Sequence, residues 1–264
     1  MTDPRTPDSD CASRLAPALQ HLAAARTDLS PPVLGAVRDS LNQRRAESAP
    51  AVDDLGVDIE QREVHIDAGE PTRIRIYRAA PAPSPAVLYF HSGAFVLGNL
   101  DTDHRQCVEF ARRGRCVVLA VDYRLAPEHP FPAALDDALA VQQWVVDSAV
   151  ELGVDPATVA VAGSSAGASL AARLAQSAAA GDAAPVVFQL LHQPVLDDRP
   201  TPSKDEFTAT PGVDSEAIGW MWRHYLAGTL PSPDAAPARA DDLAGVAPAL
   251  ITCSELDPLR DEAI

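Results

Sequence analysis

The spacing of apolar and polar residues changes once along the chain. Residues 57–66 and 72–78 alternate between apolar and polar side chains, which is the period of a half-exposed β-hairpin. From residue 86 onward, near-continuous apolar runs replace this alternation, and such runs are typical of strands covered on both faces. The runs lie at 86–91, 115–123, 157–163, 184–191 and 247–255.

Amphipathic stretches at 101–113, 130–151 and 166–180 separate the apolar runs. This strand–helix–strand alternation predicts crossover connections and a mostly parallel sheet with helices on both faces, so the fold class is α/β. We expect a single domain over 1–264 with two excursions from the sheet. These are a helical segment at about 1–50, with Leu15, Leu19 and Leu22 at helical spacing and a break at Pro31–Pro32, and a proline-rich insert at 195–235.

Charge and hydropathy exclude several partners. The 264-residue chain has a formal net charge of −16 and 47% hydrophobic residues. It has no basic stripe that could neutralise the phosphates of a nucleic acid, and its charge disfavours anionic lipid surfaces. No apolar run reaches the roughly 18 residues of a membrane span, so we expect no stable membrane insertion. The N-terminus lacks the layout of a signal peptide, which predicts a cytoplasmic protein.

The four cysteines predict neither a disulfide framework nor a metal site. They form no CxxC pair and have no metal-ligand spacing, so reduced and mostly buried thiols are the interpretation. The residues are Cys11, Cys107, Cys116 and Cys253. We expect no metal and no cofactor, and the sequence specifies no oligomeric state.

A short turn carries a candidate nucleophile. The pentapeptide Gly163–Gly167, GSSAG, matches G-x-S-x-G, between a predicted buried strand and a predicted helix. So tight a turn strains its apex residue and needs small flanking residues, which Gly163 and Gly167 supply. Ser165 is therefore predicted to stand clear of the sheet at a helix N-terminus, where negative charge is favoured. The alternative is a plain strand-to-helix turn with a serine cap.

A second loop carries candidate oxyanion donors. His91 and the four residues after it, HSGAF, end the first buried strand. Acyl transfer develops negative charge on the former carbonyl oxygen, which backbone N–H groups can stabilise without rearrangement. We predict that the donors are the N–H groups of Gly93, Ala94 and Ala166. A generic loop after a strand is the alternative interpretation.

Four motifs in the same order resemble the hormone-sensitive-lipase family of α/β-hydrolases, in its bacterial esterase branch. They are HSGAFVLGNLDTD at 91–103, DYRLAPEHPFPAALDD at 122–137, GSSAG at 163–167 and ELDPLRDEA at 255–263. The resemblance covers the chain from about residue 50 to its end.

The resemblance implies an α/β-hydrolase fold with an eight-stranded sheet and a helical cap, for which 1–50 and 195–235 are the candidates. It assigns Ser165 as nucleophile, Asp257 as the acid that orients the base, and Gly93 and Ala94 as oxyanion donors. In the family His91 braces the loop backbone, while Arg124, Pro127 and Glu128 support the site.

Two departures from the family pattern are mild, and the third concerns the base. Ser92 and Ala94 stand where the family has glycines, and Ser164 stands where it often has aspartate. The family places its catalytic histidine roughly thirty residues past the aspartate, on a loop after the eighth strand. We therefore expect the final strand, its helix and that histidine to be absent from these 264 residues.

None of the seven histidines is a strong substitute for the base. His192 is the most interesting of them, because it closes a strand at the sheet edge where active sites collect. His104 is expected to be solvated or locally bonded, and His224 is expected to have a packing or substrate-pocket role. The remaining histidines are His21, His65, His91 and His129. Without a base a serine hydroxyl is a poor nucleophile, and in proteases the loss of the histidine costs on the order of 10⁶ in turnover.

The sequence therefore predicts a carboxylic-ester hydrolase that acts on short-to-medium acyl esters through an acyl-enzyme, with impaired activity in this chain. One alternative is a non-catalytic small-molecule binding protein on the same scaffold. Another is a chain that receives its histidine from a partner or a separate piece. Peptidases, amidases and thioesterases share the fold and are poorly separated by sequence. Trp220, Trp222 and Tyr225 in the insert are interpreted as core more than as ligand contacts.

Overall fold

One seven-stranded sheet organises the part of the chain that the structure describes. The structure is a computed structural model and describes residues 13–48, 56–65 and 71–264. The strand order is β1-β2-β4-β3-β5-β6-β7. β1 and β2 pair antiparallel, β2 is antiparallel to β4, and the strands from β4 to β7 are parallel. The strands are β1 Asp58–Val64, β2 Thr72–Arg78, β3 Ser84–Phe90, β4 Val117–Asp122, β5 Val154–Ser164, β6 Phe188–His192 and β7 Ala249–Thr252.

Helices fill the connections between the parallel strands, as the amphipathic stretches predict. The α-helices of the described residues are α1 Leu34–Ser48, α2 His104–Gly114, α3 Ala133–Asp147, α4 Ala149–Leu152, α5 Ala166–Ala180, α6 Pro202–Glu206, α7 Ser215–Leu226 and α8 Arg260–Ala263. Short 3-10 helices cover Pro17–Leu22 and Pro237–Arg239. The predicted α/β class is therefore confirmed.

The two faces of the sheet bury separate apolar clusters. Leu88, Leu119 and Val161 point toward α3 and α5, whereas Tyr89 and Val118 point toward α2 on the opposite face. Successive strand residues point to opposite faces, so a strand covered on both sides must be apolar at every position. The prediction from the continuous apolar runs is thus confirmed.

The antiparallel hairpin matches the predicted alternation. Asp58 pairs with Arg78 and Val64 with Thr72, at the two ends of the ladder. Along β2 the side chains of Ile74 and Ile76 are fully buried. The alternation of apolar and polar residues therefore identifies the strands that have one face exposed to solvent.

The last two strands are shorter than their apolar runs, and β7 forms an edge of the sheet in the described chain. The run at 184–191 contains four of the five residues of β6, which ends at His192, and the run at 247–255 contains all four residues of β7. The exposed fractions of Phe188, Leu250 and Ile251 are 38%, 52% and 40%. An apolar edge with this exposure invites pairing with another chain.

The predicted helix around Leu15, Leu19 and Leu22 needs correction. Pro17–Leu22 is a 3-10 helix with no buried residue, and Leu19 and Leu22 are exposed. Pro17 at its start and the three-residue turn bring the leucines out of register with an α-helical face. The regular helix of this region, α1, begins only after Pro31–Pro32.

The N-terminal segment and the 195–235 insert touch each other over the sheet. Thr27 donates its N–H to the Gly212 carbonyl at 2.7 Å, and His224 Nε2 donates to the Leu29 carbonyl at 2.8 Å. Arg38 of α1 contacts the segment that follows β4, where its guanidinium donates to both carboxylate oxygens of Glu128 at 2.9 and 3.0 Å. These contacts place both excursions above the carboxyl ends of the parallel strands.

The aromatic side chains of the insert are mainly core residues. Trp222 and Tyr225 are buried, and the Tyr225 ring stacks on the Phe95 ring with centroids 3.8 Å apart. Trp220 stacks on His224 at 6.0 Å. The interpretation of these residues as packing groups is confirmed.

The described residues also show where the thiols lie. Cys107 and Cys116 are buried free thiols, Cys253 is an exposed one, and Cys11 lies outside the described residues. Across the described part of the chain, none of the helices has the length and apolar character needed to cross a membrane.

Candidate active site

The nucleophile turn has the strained geometry that its sequence predicts. Ser165 lies between β5 and α5 with φ 55° and ψ −118°, in a region that L-residues rarely adopt. Two of its backbone hydrogen bonds join it to the end of β6 and the residues that follow. Its N–H donates to the His192 carbonyl at 2.8 Å, and its carbonyl accepts from the Val195 N–H at 3.2 Å. The turn therefore presents the Ser165 hydroxyl at the carboxyl end of β5.

Gly163 and Gly167 let the turn pass against its neighbours without side chains. A Cβ on Gly163 would collide with the backbone of Gly167, and a Cβ on Gly167 would collide with the carbonyl of Phe90 at the end of β3. α5 can approach the sheet this closely because both positions are glycines, which have no side chain. The expected need for small flanking residues thus has a direct steric reason.

The oxyanion loop follows β3 and faces the same turn. Gly93 has φ 142°, Ala94 has φ 55°, and a Cβ on Gly93 would collide with the Leu97 carbonyl. Among the described residues, no protein group accepts a hydrogen bond from the N–H of Gly93 or Ala94. Ala166 is the first residue of α5, so its N–H has no acceptor within the helix. These three N–H groups are free to meet a ligand.

His91 fixes the peptide plane that carries the Gly93 N–H. Its Nδ1 donates to the Ser92 carbonyl at 2.8 Å, and this carbonyl belongs to the same peptide unit as that N–H. Burial lowers the pKa of His91 below its ordinary value, and the bond to the Ser92 carbonyl only partly opposes this effect. The imidazole is therefore neutral, with its proton on Nδ1.

Two residues support this loop from behind, and the candidate list from the sequence omits both. The Tyr123 ring stacks on the His91 ring at 4.2 Å, and its hydroxyl donates to the His91 carbonyl at 2.7 Å. The Asp103 carboxylate accepts the Ser92 N–H at 2.8 Å and the Tyr89 hydroxyl at 3.1 Å. Both residues lie inside the family motifs quoted above, and this position is the sequence signal that could have identified them.

Asp257 lies in the turn between β7 and α8. Its Oδ1 accepts the Leu259 N–H at 2.8 Å, and its carbonyl accepts the Arg260 N–H at 3.0 Å. Burial raises the pKa of the Asp257 carboxyl, while the Leu259 N–H and the charge of nearby His192 act in the opposite direction. The carboxyl is thus held rigidly and partly removed from water.

The nucleophile turn, the oxyanion loop and the turn that carries Asp257 all line one cavity. It has a volume of about 500 Å³, and Gly93, Ala94, Ser165 and Asp257 all line it. Ala166 and His91 are buried behind its wall. The remaining apolar lining comes largely from the two excursions and the oxyanion loop, namely Leu29, Leu41, Leu97, Ile218 and Met221. The structure therefore brings together the site residues that the sequence predicts.

The histidines of the described chain mostly serve other contacts. His104 is buried, and its Nδ1 lies 2.8 Å from the Tyr77 hydroxyl. His192 Nδ1 lies 2.6 Å from the Thr252 hydroxyl, in the adjacent strand. None of the hydrogen bonds among the described residues joins an imidazole to the Ser165 hydroxyl or to Asp257. Over the same residues, no group of three His, Cys, Asp or Glu side chains is placed to hold a metal ion.

The sequence pattern of the alpha/beta hydrolase fold matches residues 87–264, which is more than half of the chain. The chain belongs to the alpha/beta hydrolase family. Among solved structures, this alpha/beta hydrolase is similar to the esterase LipW from Mycobacterium marinum, with a TM-score of 0.95 and 56% identity. That match covers 98% of this chain and 82% of the LipW chain.

Curated relatives point to the same family. The chain is 44% identical over 203 residues to Esterase LipI of Mycobacterium tuberculosis, a match that covers 74% of this chain and 63% of LipI. It is 40% identical over 213 residues to Carboxylesterase NlhH of the same species, covering 77% of this chain and 66% of NlhH. The matched region thus spans just under two thirds of these curated relatives.

Proposed function

We propose that this alpha/beta hydrolase is a carboxylic-ester hydrolase that works through an acyl-enzyme on Ser165. The observation that carries the proposal is the geometry of one cavity, in which the strained Ser165 turn faces the free N–H groups of Gly93 and Ala94, with Asp257 in the same wall. The names of the similar proteins, esterase and carboxylesterase, support this reaction class. The four quoted motifs favour the hormone-sensitive-lipase branch.

The chemistry follows from these positions. The Ser165 oxygen attacks the ester carbonyl while its proton passes to a base, and the N–H groups of Gly93, Ala94 and Ala166 stabilise the oxyanion that forms. Collapse of this intermediate breaks the bond to the alkoxy oxygen, which leaves as the alcohol with the proton from the base. Water then attacks the acyl-enzyme by the same route and releases the acid.

The described residues place no base in hydrogen-bonding contact with the Ser165 hydroxyl. Asp257 is placed to orient an imidazole, and the family resemblance implies a histidine for this role. His192 is close enough to act on the pKa of the Asp257 carboxyl, yet its Nδ1 faces Thr252 and its imidazole makes no hydrogen bond to the Ser165 hydroxyl. We therefore propose that these 264 residues alone turn over esters slowly.

The apolar cavity wall supports a short-to-medium acyl chain as the substrate class. Leu29, Leu41 and Met221 line one part of a cavity of about 500 Å³, which is large enough for a small acyl ester. An uncharged acyl chain gains from burial here, whereas a charged one would lose hydration.

Hydrolysis of p-nitrophenyl butyrate in the presence and absence of free imidazole tests this proposal. We expect weak turnover that added imidazole increases at least severalfold, because imidazole supplies the base that the nucleophile lacks. The matched control is Ser165→Ala, which should show only the reaction of imidazole itself with the ester. Equal imidazole-dependent turnover in the two proteins would contradict Ser165 as the nucleophile.

A further inference from the structure

The segment that follows β6, residues 192–197, holds the nucleophile turn from one side. The His192 carbonyl accepts the Ser165 N–H at 2.8 Å, and the Val195 N–H donates to the Ser165 carbonyl at 3.2 Å. Both backbone polar groups of the candidate nucleophile are therefore bonded to this single segment. Any displacement of the 192–197 segment displaces Ser165 with it.

The same segment also holds the acid loop, through Glu262. The next two N–H groups, those of Leu196 and Asp197, donate to Glu262 Oε2 at 2.5 and 2.7 Å. Glu262 lies in α8, whose first residue bonds the Asp257 carbonyl. The Glu262 carboxylate thus links the loop that carries the acid to the segment that carries the nucleophile.

Lys204, the only lysine of the chain, offsets the charge of this carboxylate. Its ammonium lies 3.0 Å from Glu262 Oε1, and it also donates to the carbonyls of Asp197 and Arg199 at 2.6 and 3.0 Å. The Glu262 side chain has 0% exposure. Burial raises the pKa of the Glu262 carboxyl, while Lys204 and the two N–H groups oppose this effect.

Further contacts join α6, the helix of Lys204, to the acid loop. The Ser203 hydroxyl donates to the Pro258 carbonyl at 2.8 Å, and the Ser203 N–H donates to Asp261 Oδ2 at 2.7 Å. Pro258 directly follows the candidate acid. The insert therefore carries the acid loop on its first helix while it covers the cavity with α7.

We propose that Glu262 is a positioning residue, which fixes Asp257 relative to Ser165, and that Lys204 keeps its buried carboxylate charged. Replacing a buried ion pair by apolar side chains often costs no stability, so a buried carboxylate that meets three donors (the N–H groups of Leu196 and Asp197 and the Lys204 ammonium) favours a geometric role. The inference rests on the proposed function, because it assigns these two residues to the placement of the proposed nucleophile and acid.

The test compares kcat and KM for p-nitrophenyl butyrate, with free imidazole present as the base, in Glu262→Ala, Glu262→Gln and Lys204→Met. In Glu262→Ala we expect kcat to fall on the order of tenfold to a hundredfold, with KM changed less than about twofold, because misplacement affects the reaction more than binding. Glu262→Gln should recover part of the loss, since its amide oxygen still accepts from Leu196 and Asp197. The matched control is Glu206→Gln, which removes an exposed ion pair with Arg260 between the same two helices and should leave kcat unchanged.

Hydrogen exchange of the backbone amides gives a readout that does not depend on turnover. The amides of Leu259 and Arg260 should exchange faster in Glu262→Ala than in Glu206→Gln, while melting temperatures show that both proteins are folded. A folded Glu262→Ala with wild-type kcat and wild-type exchange would overturn the positioning role and leave the proposed function intact. Absence of Ser165-dependent turnover in the wild-type protein would instead refute the proposed function, and the positioning role of Glu262 with it.

Discussion

Ser165 shows how a single residue is held in an unfavourable conformation. A non-glycine residue in a rare φ/ψ region costs on the order of 1–3 kcal/mol, which the surroundings must offset. Here the offset comes from the bonds to His192 and Val195 and from the steric fit of Gly163 and Gly167. The turn motif predicts the strain and the glycines, because both follow from local geometry. The partners His192 and Val195 lie at the end of another strand and just after it, and have no local signature.

The glycine at the start of α5 gives a sharp residue-scale prediction. In Gly167→Ala the new Cβ would collide with the Phe90 carbonyl. We therefore expect the free energy of unfolding to fall by at least about 1–3 kcal/mol and turnover to be lost. Gly219→Ala is the matched control, because Gly219 lies inside α7 with nothing within 4 Å of its Cβ position. Alanine is favoured in a helix interior by about 0.5–1 kcal/mol, so this variant should melt higher. Thermal unfolding of both variants checks the prediction, and equal stability would contradict it.

The raised pKa of the Asp257 carboxyl predicts that removing its charge increases stability and decreases activity. Burial penalises the charged form of the carboxyl only in the folded state, so the folded protein loses stability relative to the unfolded chain as the carboxyl ionises with rising pH. We therefore expect Asp257→Asn to melt higher than wild type at pH 7 but not at about pH 3, where both states hold the protonated carboxyl. With free imidazole added as the base, turnover should fall, because Asp257 is placed to orient an imidazole. A melting difference that does not grow with pH would rule out the burial penalty.

At the scale of elements, apolar runs predict the buried strands well and their ends poorly. The runs at 86–91 and 157–163 identify β3 and β5, because strands covered on both faces have no polar positions. The last runs overestimate β6 and β7, since the pattern does not distinguish residues that pair from those that only continue in an extended conformation. The 3-10 helix at Pro17–Leu22 was missed because leucine spacing alone does not distinguish the two helix types.

The edge strand β7 provides a test at this scale. Leu250 is 52% exposed, so Leu250→Lys should leave thermal stability within a few degrees of wild type and reduce self-association. Leu191→Lys in the neighbouring strand is the matched control, because Leu191 is only 3% exposed and a lysine there would bury an unpaired charge. Light scattering and thermal melts measure both effects. Unfolding of Leu250→Lys would show that this edge is covered in solution.

At the scale of the whole molecule, the candidate site combines pieces that are distant in sequence. The oxyanion loop follows β3, the nucleophile follows β5 and the acid follows β7, so the parallel sheet brings the three to one edge. The order of the motifs predicts this meeting, because the carboxyl ends of parallel strands share an edge. The motifs could not predict the link through Glu262 and Lys204, since it depends on where the insert returns to the sheet.

The most direct test of the central claim is the mass of the adduct formed with a p-nitrophenyl phosphonate ester, which reacts with an activated serine, when free imidazole is present as the base. The account predicts one phosphonyl group per chain on the peptide that contains Ser165, and none on that site in Ser165→Ala. Tandem mass spectra would locate the group. A phosphonyl group on another residue, or equal modification of the Ser165→Ala protein, would contradict the assignment of Ser165 as the nucleophile.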